Sequence, residues 1–304
     1  MTAAASSRRE DITARIEQLV SIPSVEGILQ PLVGYLQQPL ESLDLQRVVD
    51  LISHDNSLAA QCLHMANSPL FGRWQAITTT RGAVLALGLQ RMRDIAVSCC
   101  VLKMLPGGWD DQNPVVFWEH SLATALVARR VAKRVGMKDP EQAYLAGLLH
   151  DLGFVVNMQV VPKEFNEAVA MARTSACPLE QAEEKVIGLS HSETGRLLAD
   201  KWRLAPCIMD AIRYHHRLSM LSDYLPVVAL TNLSDRLCRL HGLGYGYREP
   251  VQIDWAKDEA IEIITQAWPI ARSVNWQSLS GDLDSYLKDV QKLVSVLYRF
   301  QHDA

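Results

Sequence analysis

An all-α fold is what this sequence predicts, on three observations. Apolar residues recur at helical spacing almost throughout the 304 residues. No run alternates apolar and polar residues as a half-buried strand would. Pro, Gly and Asp gather between the periodic runs, where helices stop and start. The helical share implied is far above the roughly one-third of an ordinary globular protein. With 48% hydrophobic and 21% charged residues, the composition is that of a globular chain able to bury a sizeable core.

The elements follow in order. DITARIEQLVS (11–21) places Ile12, Ile16, Leu19 and Val20 on one stripe, and Pro23 ends it. A second helix is expected from about Val25 to Leu36. Asp44 is placed to cap a helix over 44–53 that carries Leu45, Val48, Val49 and Ile52. Asn56 or Ser57 is expected to cap SLAAQCLHMAN, which ends near Pro69. Residues 80–104 continue the pattern with an interruption near Gly88. The loop PGGWDDQNP (106–114) is the best candidate boundary. Beyond it, helices are expected at about 115–136, 140–157, 162–174, 178–186, 190–202, 205–216 and 223–241. GLGYGYREP (242–250) breaks the pattern again, and two or three amphipathic helices follow, among them DEAIEIITQAW and one over about 282–301. The domain reading is a subdomain over 12–105 and a core over 115–240, together one domain over 12–240, then a C-terminal extension over 250–304.

Composition also sets limits on function. A net charge of −4 lacks the basic excess of a nucleic-acid binder, so direct nucleic-acid binding is not expected. The short clusters Arg91/Arg93 and Arg129/Arg130/Lys133/Arg134 read as solvated helix faces. Trp255, Trp268 and Trp276 read as packing of the last helices. The N-terminus MTAAASSRRE lacks the apolar core of a signal peptide. No run reaches the roughly 18 apolar residues of a membrane helix. Six cysteines without a CxxC pair read as buried free thiols of a reducing compartment. A cytoplasmic protein that does not engage membranes is the expectation.

Five of the nine histidines fall in the middle of the chain beside two aspartates. His120 lies in FWEHSLATALVARRVA, His150-Asp151 in AYLAGLLHDLGF, His191 in GLSHSETGRLLADKW, His215-His216 in AIRYHHRL and Asp235 in VALTNLSDRLCRL. Imidazole nitrogen mixed with carboxylate oxygen suits Zn, Fe, Mn, Ni or Co, whereas thiolates would indicate structural zinc. Bundles build metal sites from side chains projecting inward from several helices. A carboxylate such as Asp151 can bridge two ions, and two ions about 3.5–4 Å apart can clamp a phosphoryl group. Taken singly, a histidine on a helix is more often a core or surface residue than a ligand, and His54, His64, His241 and His302 keep that reading. The ordered set is what singles out the other five. No Gly-rich phosphate loop and no nucleophile triad can be argued from spacing.

That order, a His, then His-Asp, then a distal Asp, resembles the HD superfamily of metal-dependent phosphohydrolases. LAGLLHDLG (145–153) looks like its central helix, with His150 and Asp151 facing the metal. His191, His215 and His216 resemble the additional ligands of its dinuclear branches, including the HD-GYP cyclic-dinucleotide phosphodiesterases, and Asp235 resembles the closing aspartate. The first half is more specific. SIPSVEGILQPLVGYL, NSPLFG (67–72) and AVLALGLQRMRDI (83–95) resemble the HDOD (HD-related output domain) family, over about residues 12–240. The resemblance implies an HD-like helical bundle preceded by an N-terminal helical subdomain.

The resemblance further implies a signalling or regulatory output module. Its site would bind one or two divalent ions (Fe, Mn, Zn, Ni or Co) or a small phosphorylated ligand such as a nucleotide or phosphate, and it would answer to a protein partner in a signalling pathway. The alternative is a metal-dependent phosphohydrolase. Against catalysis, the run here is HDLGF, with Phe154 where active HD-GYP proteins carry a lysine, and no Gly-Tyr-Pro motif follows His216.

Overall fold

The computed structural model describes residues 3–18, 44–71, 76–105, 115–219, 222–246 and 251–302, and among these every regular element is helical, with no strand. The expected helix over 25–36 and the loop over 106–114 lie outside the described residues. No described helix is long and apolar enough to cross a membrane. The chain divides into two compact units, one of residues 1–20 and 106–284, the other of residues 21–105 and 285–304.

In the second unit, helix α2 (Leu45–Ser53) starts where Asp44 accepts a hydrogen bond from the Gln46 amide at 2.8 Å, as its sequence position predicts. Helix α3 (Asn56–Ala66) is capped by Asp55, not by Asn56 or Ser57. The Asp55 backbone is extended there, and its carboxylate accepts from the Leu58 amide at 2.9 Å while also pairing with Lys103. Asn67 then clasps both the N–H and the C=O of Ile77, at 2.7 and 2.9 Å. Helices α4 (Thr80–Leu87) and α5 (Leu89–Met104) are separated by Gly88 at φ +85°, a conformation that favours glycine. Val48, Ile52, Leu58, Met65, Phe71, Met92 and Ile95 form the buried centre of this unit. Arg91 and Arg93 are half-buried rather than solvated: Arg91 donates to the Phe71 carbonyl at 3.2 Å and Arg93 pairs with Asp94 at 3.1 Å.

The first unit carries α1 (Ala3–Gln18), α6 (Val115–Val135), α7 (Pro140–Leu149), α8 (Leu152–Val160), α9 (Pro162–Ser175), α10 (Leu179–Val186), α11 (His191–Lys201), α12 (Pro206–Tyr214), α13 (Leu225–Leu240), α14 (Glu259–Ala267) and α15 (Trp276–Gly281). Helix α16 (Leu283–His302) begins at its end, and the residues of α16 from 285 onward fall in the second unit. Helix α6 is buried over most of its length and packs on α7 and α13; α8 packs on α11, and α13 also on α14. Arg129 does not lie on a solvated face. Its side chain is buried, pairs with Glu141 at 3.4 Å and lies over the Tyr144 ring at 5.0 Å. Arg130, Lys133 and Arg134 are exposed as expected. Five cysteines are buried and Cys177 is half-buried, all with free thiols.

The largest departure from the sequence pattern is one helix that becomes two. The run expected over 140–157 ends at Leu149 and restarts at Leu152, leaving His150 and Asp151 in the turn. His150 still has helical dihedrals, but Asp151 at φ −99°, ψ +22° does not. The turn re-aims consecutive side chains that a straight helix would spread about 100° apart around its axis.

At the start of α14, Asp258 accepts from the amides of Ala260 and Ile261 and takes a two-pronged bond from Arg236, at 2.6 and 2.8 Å. Burial would raise this carboxyl, but the Arg236 bond and charge override it and hold it below its ordinary 3.8. A carboxyl depressed in the fold stabilises above its ordinary value, and that contribution fades as pH falls through the depressed one. Asp258→Ala is therefore expected to cost about 1–3 kcal/mol at pH 7, from the lost cap and charged bond. Urea midpoints of variant and parent should converge as the pH is taken below 3.8; an equal gap at both pH values would refute the assignment.

Candidate metal centre

Three helices and two turns of the first unit bring the seven predicted residues to one place. His120 comes from the second turn of α6, His150 and Asp151 from the α7–α8 turn, and His191 from the first residue of α11. His215 and His216 follow the end of α12, and Asp235 lies in α13. His120, His150, His191, His215 and Asp235 have no exposed surface, Asp151 is 4% exposed, and His216 is the most open of the set.

Each inner ring is anchored from behind. The Nδ1 atom of His120 faces the Leu243 carbonyl at 2.8 Å, that of His150 the Gly147 carbonyl at 2.7 Å, and that of His215 the Ile212 carbonyl at 3.0 Å. A carbonyl only accepts, so each Nδ1 carries the proton and each Nε2 turns its lone pair inward. His191 is held differently. Its Nδ1 donates to the buried Glu183 carboxylate at 2.6 Å, and its backbone N–H donates to the same oxygen at 2.7 Å. Asn157 donates to the other Glu183 oxygen at 3.0 Å.

The inward atoms divide into two sets that share one carboxylate. Asp151 Oδ2 lies 3.1 Å from His150 Nε2 and 3.6 Å from His120 Nε2, and Asp235 Oδ1 lies 3.1 Å from His120 Nε2. Asp151 Oδ1 lies 3.4 Å from Nε2 of both His191 and His215, and His216 Nε2 is 3.0 Å from His191 Nε2. His120 Nε2, His150 Nε2, both Asp151 oxygens and Asp235 Oδ1 are buried and make no hydrogen bond. A buried carboxylate or imidazole lone pair left without a donor costs on the order of 1–3 kcal/mol, more for a charge. Five such atoms crowded together are what a cation would satisfy, and the groupings His120/His150/Asp235, His150/Asp151/His215 and His191/His215/His216 each bring three donor atoms within 4.8 Å of one another.

The electrostatics favour cation binding at the two carboxylates and at His215 and His216. Burial alone would raise the Asp151 carboxyl, but His150, His215 and His191 override it and hold it well below the usual carboxylate range. The same contest at Asp235 is decided by Arg239, with help from His120. Burial pushes His215 down and His216 far down, keeping both neutral and able to donate a lone pair. Burial pulls His191 down too, but the Glu183 carboxylate overrides it and lifts the ring to about 9, so an ion binding at its Nε2 must displace a proton.

The structure brings together all seven residues named from the sequence, and four neighbours that the sequence did not single out stand beside them. Glu183 is one glutamate among several in LEQAEEKV, and nothing in the spacing separates it from Glu180 or Glu184. Leu243 acts through its carbonyl, which no residue type reveals. Tyr245, read as part of a loop, stands 4.9 Å from the His120 ring and 4.9 Å from the Phe154 ring. Arg239 pairs with Asp235 four residues earlier on α13, a spacing that was legible. His241, set aside as an ordinary histidine, bonds Asp284 at 2.6 Å and Ser280 at 3.0 Å.

A carboxylate behind a ligating histidine fixes the ring and its tautomer, and losing one typically costs 10–100-fold in metal affinity. Glu183→Gln is expected to weaken divalent-ion binding by about that factor while the fold persists. Competition titration against a chromogenic chelator checks it; unchanged affinity would remove Glu183 from the site.

An all-helical chain with buried histidines and carboxylates converging from several helices belongs to the class of helical bundles with a candidate metal centre. The HDOD domain family matches residues 22–218, well over half of the chain, and the chain is a member of that family. It is similar to an HDOD domain protein with unknown function from Geobacter sulfurreducens, at 29% identity and a TM-score of 0.81, covering 95% of this chain and 98% of that one. A candidate phosphohydrolase from Shewanella amazonensis SB2B shares the fold at 22% identity and a TM-score of 0.70, covering 94% of this chain and 97% of that one. An uncharacterized protein of Treponema pallidum (strain Nichols) is 26% identical over 232 residues, 75% of this chain but only 44% of that relative's length.

Proposed function

We propose that this chain is a cytoplasmic signal-transduction or regulatory HDOD module whose buried His/Asp centre holds one or two divalent ions. The observation that carries the reading is the set of five buried lone-pair atoms without hydrogen bonds, aimed at one another across Asp151. His120, His150, Asp151 and Asp235 would hold one ion, and Asp151, His191, His215 and His216 the other. The donor mixture fits Fe, Mn, Zn, Ni or Co. When bound, such ions supply Lewis acidity toward a phosphoryl oxygen. The chain's own part is to fix four imidazole rings from behind and to exclude water from the inner set. In this reading the centre is a sensor or structural switch, and its state passes to a protein partner in a signalling pathway.

Elemental analysis of the purified chain, after reconstitution at neutral pH with each candidate ion, tests the reading. Between one and two equivalents of tightly held metal are expected, and His150→Ala should retain less. A chain that holds no metal under any of these conditions would overturn it.

A second reading, a metal-dependent phosphohydrolase, is favoured by the division of the two Asp151 oxygens between two histidine sets, since paired ions sharing a carboxylate suit phosphoryl transfer. Robust turnover of nucleotide or cyclic-dinucleotide substrates with Mn or Fe present would select it over the first.

A further inference from the structure

Helix α6 carries a second feature at its other end. Arg130, Lys133 and Arg134, spaced i, i+3 and i+4, lie on one exposed face near its C-terminus. Arg130 follows His120 by ten residues, so roughly 15 Å of helix separates the two. The facing wall comes from α15 and its flanks. Asn275, Ser278, Leu279 and Asp282 close a groove of about 410 Å³ with the three cations. None of the seven residues of the metal centre lines it.

Charge and an apolar neighbour decide what the groove can take. Along its walls three cations face one carboxylate, Asp282. The helix dipole favours cations in a last turn. That accounts for Lys133 and Arg134, but not for the opposite wall or for what stands just past α6. There the short helix Pro269–Ser273 presents Ile270, which is 60% exposed. A methyl added at Gly136 would meet Ile270 Cδ1 at 3.0 Å, so this exposed side chain rests on the chain two residues beyond Arg134. Arg272, from the same short helix, adds another exposed cation.

The combination selects a class of ligand. A nucleic acid asks for a basic excess spread over a wide surface, and the chain has a net charge of −4. A small anion gains nothing from an exposed isoleucine. A peptide carries both kinds of group, and arginines beside an apolar anchor are what protein interfaces favour. Each guanidinium fork matches one carboxylate with two bonds, and Lys133 adds a point charge.

We propose that the groove between α6 and α15 docks an acidic segment of a protein partner, with Asp or Glu side chains on Arg130, Lys133 and Arg134 and an apolar side chain on Ile270. The proposal goes beyond the reading of the metal centre and stands without it.

Fluorescence anisotropy with the full chain tests this. The probe is a labelled peptide with Asp and Glu residues on both sides of a central Leu; its counterparts carry Lys in place of the acids, or Ser in place of the Leu. The acidic peptide is expected to bind at low salt, to weaken as salt screens the pairs, and to outbind the Lys peptide at least roughly ten-fold. Arg134→Glu should weaken it about ten-fold. Ser278→Glu, which sets the same charge on the opposite wall, should weaken it too, and it decides the matter if Arg134→Glu melts early. Ile270→Ser should weaken the Leu peptide roughly five-fold and leave the Ser peptide unchanged. Arg213→Glu, at an exposed arginine of α12, should change neither. The proposal is overturned by an acidic peptide that binds no better than the Lys one, by equal losses in Arg213→Glu and Arg134→Glu, or by an Ile270→Ser protein that binds the Leu peptide as the parent does. Displacement of the peptide by an equal concentration of inorganic phosphate overturns it as well, by making the groove a small-anion site.

Discussion

Asp151→Ala is expected to strip the protein of all bound metal, whereas His120→Ala should remove one ion of two. The asymmetry follows from geometry. His120 Nε2 faces Asp151 Oδ2 and Asp235 Oδ1, on one side of the centre, but Asp151 presents one oxygen to the His120/His150 set and the other to His191 and His215. Removing the shared carboxylate takes a ligand from both positions and the charge that offsets both ions. A site with one of its anionic ligands gone is expected to lose at least about 100-fold in affinity, beyond the 10–100-fold of a lost supporting residue. The core need not collapse: both Asp151 oxygens are buried and make no hydrogen bond, and removing such a group is cheaper than removing one partner of a buried hydrogen bond. Metal-to-protein ratios of the two variants, measured beside thermal melting curves, check this. Equal metal loss in both would contradict the bridging role.

Gly153→Ala is the substitution expected to do most damage to the fold. A methyl group added there would sit 1.8 Å from the His191 carbonyl oxygen and 2.6 Å from its carbon. These are main-chain atoms at the first turn of α11, so no side chain can swing aside. Gly195 answers from the other helix, where an added Cβ would come within 2.8 Å of the Gly153 nitrogen. Relief requires α8 and α11 to separate, which draws Asp151 away from His191. The expected cost exceeds about 4 kcal/mol, in the range reserved for severe core disruption. Gly281→Ala is the control, because nothing lies within 4 Å of its added methyl. Chemical denaturation should show Gly281→Ala near the parent and Gly153→Ala poorly folded or unfolded. A Gly153→Ala protein of parental stability would mean the helices cross farther apart.

Much of this was legible in the chain. Helical periodicity needs only the placement of apolar residues, so α6, α9 and α13 stand close to where the pattern put them. The seven candidate residues were legible because imidazoles and carboxylates are rare inside apolar stretches, and an ordered set of them is hard to explain by packing. What stayed hidden depends on backbone geometry and long-range contact. The turn at His150-Asp151 is invisible to periodicity, because AYLAGLLHDLGFVV is apolar on every side and reads as one buried helix. Arg129 looked like part of a basic face because Arg130, Lys133 and Arg134 follow it, yet Glu141 and Tyr144 draw it inside. Glu183 could not be chosen from its neighbours without knowing that His191 would arrive beside it.

The crossing of α8 and α11 has one more consequence. Because main chain rests on main chain at Gly153 and Gly195, the separation of the two elements is set by covalent geometry and not by how well aliphatic groups interdigitate. Sequence drift in the surrounding apolar layer can then alter how tightly the bundle holds together while the span between Asp151 and His191 stays constant. The two glycines act as a fixed gauge, and the coordination geometry inherits its tolerance from peptide units that cannot be swapped for bulkier ones.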